Sequence, residues 1–192
     1  MIARRFLLVA AIALSTIGST LTASADTAGL TFKKTRRVAF SATATGGMKI
    51  NGQSGDLTID YSRGGNGKLK FTTPVNSLKT GIGERDKHVV KYMGTPKVIY
   101  EVNDVREFIK VAQGLADKQK KTLGANGTLT VNGQAKPKKA SITLQRFGSD
   151  IVVQGSFPVD ITKHGIEKPC FTLVCMDTTV QVTVMFKLNV EK

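Results

Sequence analysis

Tryptophan is absent from this chain, tyrosine occurs three times, and histidine and cysteine twice each. Two histidines, His88 and His164, cannot supply a three-histidine zinc site, and neither stands at a recognisable metal-ligand spacing. No aromatic residues are interleaved with the basic runs, so a stacking platform for single-stranded nucleic acid is missing too. No nucleophile elbow surrounds any serine; Ser77 and His88 are linked by nothing beyond nearness in sequence. After residue 25 no long apolar run recurs, which leaves no later segment near the roughly 20 apolar residues of a membrane-spanning helix. Acidic residues are scarce, 14 against 28 Lys and Arg. These shortages predict a binding protein rather than an enzyme, without cofactor or metal and with no nucleic-acid partner, and the excess positive charge favours anionic surfaces or ligands.

The first residues, Met1-Ile2-Ala3-Arg4-Arg5, are basic, and an almost wholly apolar run from Phe6 to Ile17 leads to Ala23-Ser24-Ala25. A short apolar core followed by Ala-x-Ala is the pattern of a secretory signal peptide, cleaved before Asp26. The expected organisation is therefore a signal peptide over 1–25 and one domain over 26–192, placed in the periplasm. Loss of Arg4 and Arg5 leaves 26 basic and 14 acidic residues, a net charge of +12.

From Arg37 onward the pattern is period two, as in Val38-Ala39-Phe40-Ser41-Ala42-Thr43 and Leu57-Thr58-Ile59-Asp60-Tyr61. Alternation of this kind predicts antiparallel strands with one greasy face. Gly64-Gly65-Asn66-Gly67 and Asn132-Gly133 read as hairpin turns, because glycine and asparagine accept the positive φ that tight turns demand. Further strands are predicted at Leu69–Thr72, Val98–Val102, Thr128–Val131, Ala140–Phe147, Ile151–Ile161 and Val180–Val190. Eight such strands without crossover connections fit an all-β, antiparallel barrel or a sandwich. A barrel of about that size can hold a ligand. Two segments break the period. Glu84 to Met93 reads as a short helix, and Val105, Phe108, Ile109, Ala112 and Leu115 recur at helical spacing behind an Asp104/Glu107 capping pair.

The densest polar stretch is Ser77-Leu78-Lys79-Thr80-Gly81-Ile82-Gly83-Glu84-Arg85-Asp86-Lys87-His88. A guanidinium can grip a diphosphate or a quinone carbonyl through paired hydrogen bonds, and a neighbouring carboxylate can aim it. Arg85, Asp86 and His88 are thus candidate head-group contacts; the alternative is a salt bridge tying the loop to the wall, with His88 capping a helix. Candidate lumen residues are Phe40, Ile59, Phe71, Val98, Tyr100, Leu129 and Phe157, or else ordinary core.

The stretch from Ser77 to His88 resembles the SL-x-TG-x-x-x-RD-x-H region of the YceI-like polyisoprenoid-binding family. Gly127-Thr128-Leu129-Thr130-Val131-Asn132-Gly133-Gln134-Ala135-Lys136-Pro137 resembles its G-x-L-T-x-x-G-x-x-K-P run, and Phe157 to Ile166 its closing region. The resemblance implies an eight-stranded lipocalin-like barrel with one or two short helices, whose lumen takes the tail of an isoprenoid lipid such as a polyprenyl phosphate or isoprenoid quinone. Two departures stand out: Asn132 where the family often has histidine, and a charged helical stretch from Arg106 to Lys121 that looks longer than usual. The competing expectation is an envelope stress or structural protein with a filled lumen that binds anionic lipid or polysaccharide through its basic surface. Contact with a membrane surface fits either, as does a monomer or a homodimer built on Val180–Val190.

Cys170 and Cys175 are an even pair in an exported chain and so a candidate disulfide, against two free thiols or a redox or metal role. Residues five apart on a straight strand point to opposite faces, so a bridge requires a turn within Phe171-Thr172-Leu173-Val174. Such a loop would stabilise by roughly 2 kcal/mol on the entropy model.

Overall fold

The computed structural model describes residues 30–190. The signal-peptide expectation over 1–25 lies outside them. Along the chain come β1 (Leu30–Ala44), β2 (Met48–Ser54), β3 (Thr58–Ser62), β4 (Lys68–Pro74), helix α1 (Gly83–Met93) and β5 (Lys97–Val102). Helix α2 (Arg106–Gly114), β6 (Lys120–Val131), β7 (Gln134–Phe147), β8 (Asp150–Asp160), the short β9 (Cys170–Phe171) and β10 (Val174–Cys175), and β11 (Thr179–Val190) follow.

Nine strands form one antiparallel sheet in the order β2-β1-β11-β8-β7-β6-β5-β4-β3, while β9 and β10 make a separate hairpin. The sheet curls into a lipocalin-like half-barrel. It has one strand more than the eight expected. The addition is β2, whose Asn51-Gly52-Gln53 breaks the apolar alternation; what holds it is a continuous register with β1, from Val38 opposite Ser54 to Ala44 opposite Met48. Gly52 lies beneath the Phe40 ring, and a β-carbon there would stand 2.3 Å from it. The predicted hairpin at Asn132-Gly133 is present, with φ of 49° and 69°.

The sheet ends, β2 and β3, are joined in sequence but do not pair. The seam is instead closed by the first half of the Ser77–His88 stretch. Gln53 and Lys79 exchange backbone hydrogen bonds of 2.9 and 2.8 Å. The Ser77 hydroxyl sits 2.6 Å from that of Ser54 and donates to the Pro74 carbonyl at 2.6 Å. An open sheet edge is a template for unwanted pairing, and these bonds occupy it.

The two helices sit at opposite ends of the barrel because one precedes and one follows β5. The α2 end is the more tightly packed of the two. Phe108 and Ala112 are buried, and Val105 and Leu115 on either side of the helix are buried with them. Val105 donates its N–H to the Asn66 carbonyl, fixing the start of α2 to the β3–β4 turn. Arg146 donates to the Ala112 carbonyl at 2.8 Å, placing a cation where the C-terminal end of a helix favours one. The charged stretch Arg106–Lys121 is not one helix: α2 ends at Gly114, and Lys120 onward is strand, paired with β7 from Gln145. The sheet's hydrogen bonds override the helix propensity of lysine there. Leu144, Ile151 and Leu188, fully buried on β7, β8 and β11, form the centre of the core.

Candidate functional site

Strand alternation sends one face of every long strand inward, and at the α1 end that face does not fill the space. A cavity of about 520 Å³ remains, within the range typical of ligand sites. Its walls are the inward residues of seven strands, among them Phe40, Phe71, Val98, Tyr100, Leu129, Phe157, Val182 and Val184. Its roof is α1, through Arg85, His88, Val89, Tyr92 and Met93. The lining is almost entirely aliphatic and aromatic; its charged and imidazole groups are gathered on α1, and Thr73 of β4 adds a hydroxyl.

A second cavity of about 430 Å³ lies towards α2. Phe71, Tyr100, Phe157 and Val184 line both, so they form the partition between them. The partition is an aromatic cluster: Tyr100 has its ring centroid 5.1 Å from Phe157 and 6.3 Å from Phe71, and Phe71 lies 5.6 Å from Phe186. Tyr100 anchors it. Its hydroxyl, shared between the Ala125 and Lys138 carbonyls at 3.2 and 3.1 Å, cannot turn into the cavity without losing both. Burial pushes the phenol up to about 12, so it remains a neutral donor. Gly127 leaves room for the ring, since a β-carbon there would lie 2.7 Å from it and 2.5 Å from the Glu101 carbonyl.

Six of the seven candidate lumen residues therefore line the larger cavity. Ile59 does not; it is buried in the core on the edge strand β3, opposite Phe71, whose ring takes the wall at that level. The polar trio divides. Arg85 and His88 line the cavity beneath α1, with Glu84 beside them. Asp86 faces the preceding loop, where its Oδ1 accepts from the Thr80 N–H at 2.7 Å and the Thr80 hydroxyl at 2.6 Å. Those bonds, ahead of the nearby Lys79 and Arg85 charges, hold its carboxyl below the usual range. Asp86 thus sets the angle at which α1 leaves the loop. His88 also stands edge-on to Tyr92, with centroids 6.4 Å apart.

Val89, Tyr92 and Met93 on α1, and Met48 and Ile50 on β2, also line the cavity and are not among the lumen candidates the sequence suggests. The i, i+3, i+4 spacing of Val89, Tyr92 and Met93 was the available signal, diluted by Lys87 and Lys91 on the outer face. Cys170 and Cys175 form a disulfide, and the required turn is the two-residue Thr172-Leu173 tip between β9 and β10, with Thr172 at φ 53°. Tyr92 donates its hydroxyl to the Cys170 carbonyl at 3.3 Å, linking lid and hairpin. Among the described residues no three His, Cys, Asp or Glu side chains come together as a metal site, and no helix is long and apolar enough to cross a membrane. His164 is buried, its Nδ1 3.1 Å from the Gln134 carbonyl, while Asn132 donates to the His164 carbonyl at 3.1 Å. Both shape the β6–β7 turn region rather than the cavity.

A curled antiparallel half-barrel around an apolar cavity, with a helix over its mouth, is a lipocalin-like fold. The chain belongs to the YceI-like domain family, whose model matches residues 19–191. It is similar in fold to a polyisoprenoid binding domain from Saccharophagus degradans implicated in plant cell wall breakdown, at TM-score 0.70 and 17% identity over 85% of this chain and 99% of that one. BcnA of Burkholderia cenocepacia is similar at TM-score 0.60 and 13% identity, covering 79% and 95% of the two chains. The YceI protein of Campylobacter jejuni is similar at TM-score 0.51 and 16% identity, covering 74% and 85%. A comparison with curated protein sequences finds no match.

Proposed function

We propose that this protein is a periplasmic carrier that encloses the tail of an isoprenoid-type lipid, a polyprenyl phosphate or an isoprenoid quinone, and contacts its head group from α1. The observation that carries this reading is the 520 Å³ apolar cavity with its charged groups on one helix. Membership of the YceI-like family, and likeness to a domain described as polyisoprenoid binding, support the same ligand class. Burying an isoprene unit from water is worth on the order of 3 kcal/mol at about 0.8 per methylene-sized group. A membrane already offers that environment to the tail, so the carrier need only match the bilayer, and the head group decides loading and release. Arg85 supplies paired donors for a phosphate or a carbonyl and His88 a further polar contact. The protein acts by sequestration or shuttling, without catalysis; the hydroxyl of Ser77 is spent on the Pro74 carbonyl.

The decisive experiment is mass spectrometry of organic extracts of protein purified without detergent from its native cell envelope. A stoichiometric isoprenoid lipid is expected. An empty protein would favour the second reading, binding of anionic lipid or polysaccharide by a surface with a formal net charge of +14 over the whole chain. Arg85→Ala is expected to erase discrimination between phosphorylated and unphosphorylated lipids while leaving tail binding within a few-fold of the original, measured by competitive displacement.

A further inference from the structure

Three segments distant in sequence meet at the rim of the larger cavity, and each turns apolar side chains outward. Met48 at the start of β2 is 48% exposed and Ile82 just before α1 is 51% exposed, and both also line the cavity. Val174 lines it from the β9–β10 hairpin, and at the hairpin's tip Leu173 is 86% exposed. The rim is held in place. The Thr45 hydroxyl and Cys175 exchange hydrogen bonds of 3.2 and 3.0 Å, Ala44 pairs with Met176, and the disulfide closes the hairpin behind Leu173. Isolated exposed hydrophobics are ordinary, but several gathered around one opening mark a surface that meets something apolar.

We infer that this rim is a bilayer-docking face, with Leu173, Ile82 and Met48 seated among the head groups of an anionic membrane so that the cavity opens onto the lipid; the inference rests on the carrier reading above. The continuity of rim and cavity favours a bilayer, because a tail can then pass between them without crossing water. Charge agrees. Segments 45–49, 79–93 and 167–177 carry six basic and four acidic residues, on a chain whose formal net charge is +14. Anionic head groups attract such a surface, and inserted apolar side chains hold it there. Phe147 provides an internal reference. It is 50% exposed at the last position of β7, at the α2 end of the barrel.

The test is flotation with vesicles of phosphatidylglycerol and phosphatidylethanolamine, using protein isolated as its own cell processes it, alongside Leu173→Ser, Ile82→Ser and Phe147→Ser. Leu173→Ser and Ile82→Ser are expected to lower vesicle partitioning about tenfold each, with Phe147→Ser unchanged. Partitioning that ignores Leu173 and Ile82, or falls equally for Phe147→Ser, would overturn the docking face. Organic extracts of the same preparations keep the two readings apart. Protein loaded with isoprenoid lipid yet indifferent to Leu173 and Ile82 sinks docking alone, whereas empty protein that still docks through Leu173 sinks the carrier reading alone.

Discussion

Helices α1 and α2 cover opposite ends of one barrel and are close in length, 11 and 9 residues, yet only one is part of the core. Helix α2 buries Phe108 and Ala112, the latter to 0% exposure, and is fastened at both ends by Asn66 and Arg146. Helix α1 has no buried residue and lies over open space. A short helix gets most of its stability from tertiary packing of its apolar face. The better-packed helix is therefore the plug and the other the lid, and on the carrier reading proposed above the tail enters from the α1 end. Tyr92 and Met93 touch the edge of the core, and filling the cavity would cover more of them and of Val89.

The largest test of this contrast is Phe108→Ala. Phe108 is buried although it borders the second cavity; removing a buried aromatic costs about 3–5 kcal/mol, and the loss is expected in denaturant titration whether or not lipid is present. Gly127→Ala attacks the partition instead. Its methyl would meet the Glu101 carbonyl and the Tyr100 ring, and overpacking of that kind costs about 1–3 kcal/mol. Displaced Tyr100 should also show as an altered near-ultraviolet circular dichroism signal. Val89→Ala on the lid should change stability of the empty protein by less than about 1 kcal/mol. Two methyl-sized groups facing the cavity are lost, so tail affinity should fall by up to about tenfold in a displacement titration. A Val89 variant as unstable as the Phe108 variant would mean that α1 is a plug after all.

The alternation of Val180 to Val190 and the turn residues at Asn132-Gly133 made the barrel legible before any coordinates. Helix α1 was legible to within a residue, and most of the cavity wall with it. Period two says that one face is inward; it does not say whether opposite walls touch, so Leu188 in the core and Val184 on a cavity look alike in sequence. Strand β2 was hidden because its support comes from β1 across the hydrogen bonds, not from its own apolar pattern. The end of α2 was hidden because Lys120 and Lys121 favour a helix by propensity, and the pairing of β6 with β7 that overrides it leaves no local mark in the sequence. Asp86 was grouped with Arg85 by adjacency, whereas successive helical residues point about 100° apart and do not share a face.

The smallest expected effect separates the ends of the barrel by acid. Asp86 beside α1, Asp104 before α2, Asp150 and Asp160 all have carboxyls held below the ordinary value, chiefly by hydrogen bonds from Thr80, Arg106, Lys33 and Thr162 respectively. A carboxyl with a lower pKa folded than unfolded binds fewer protons in the native state. Stability then rises with pH across that interval, is fully present above the unfolded value near 4, and is lost as pH falls through the folded values. Asp104 is exposed and the other three are partly exposed, so solvent screens each of them and each contribution is small. The lid responds differently from the plug because Asp86 fastens the loop leading into α1, while α2 keeps its apolar anchors after Asp104 is protonated. Acidification below about pH 4 should therefore shift the Thr80 amide resonance and raise exchange with solvent across α1 before α2, in amide-detected NMR. Asp86→Asn should remove the Thr80 titration and leave the α2 resonances untouched. Loosening of both helices together would show that the lid is not independent of the core.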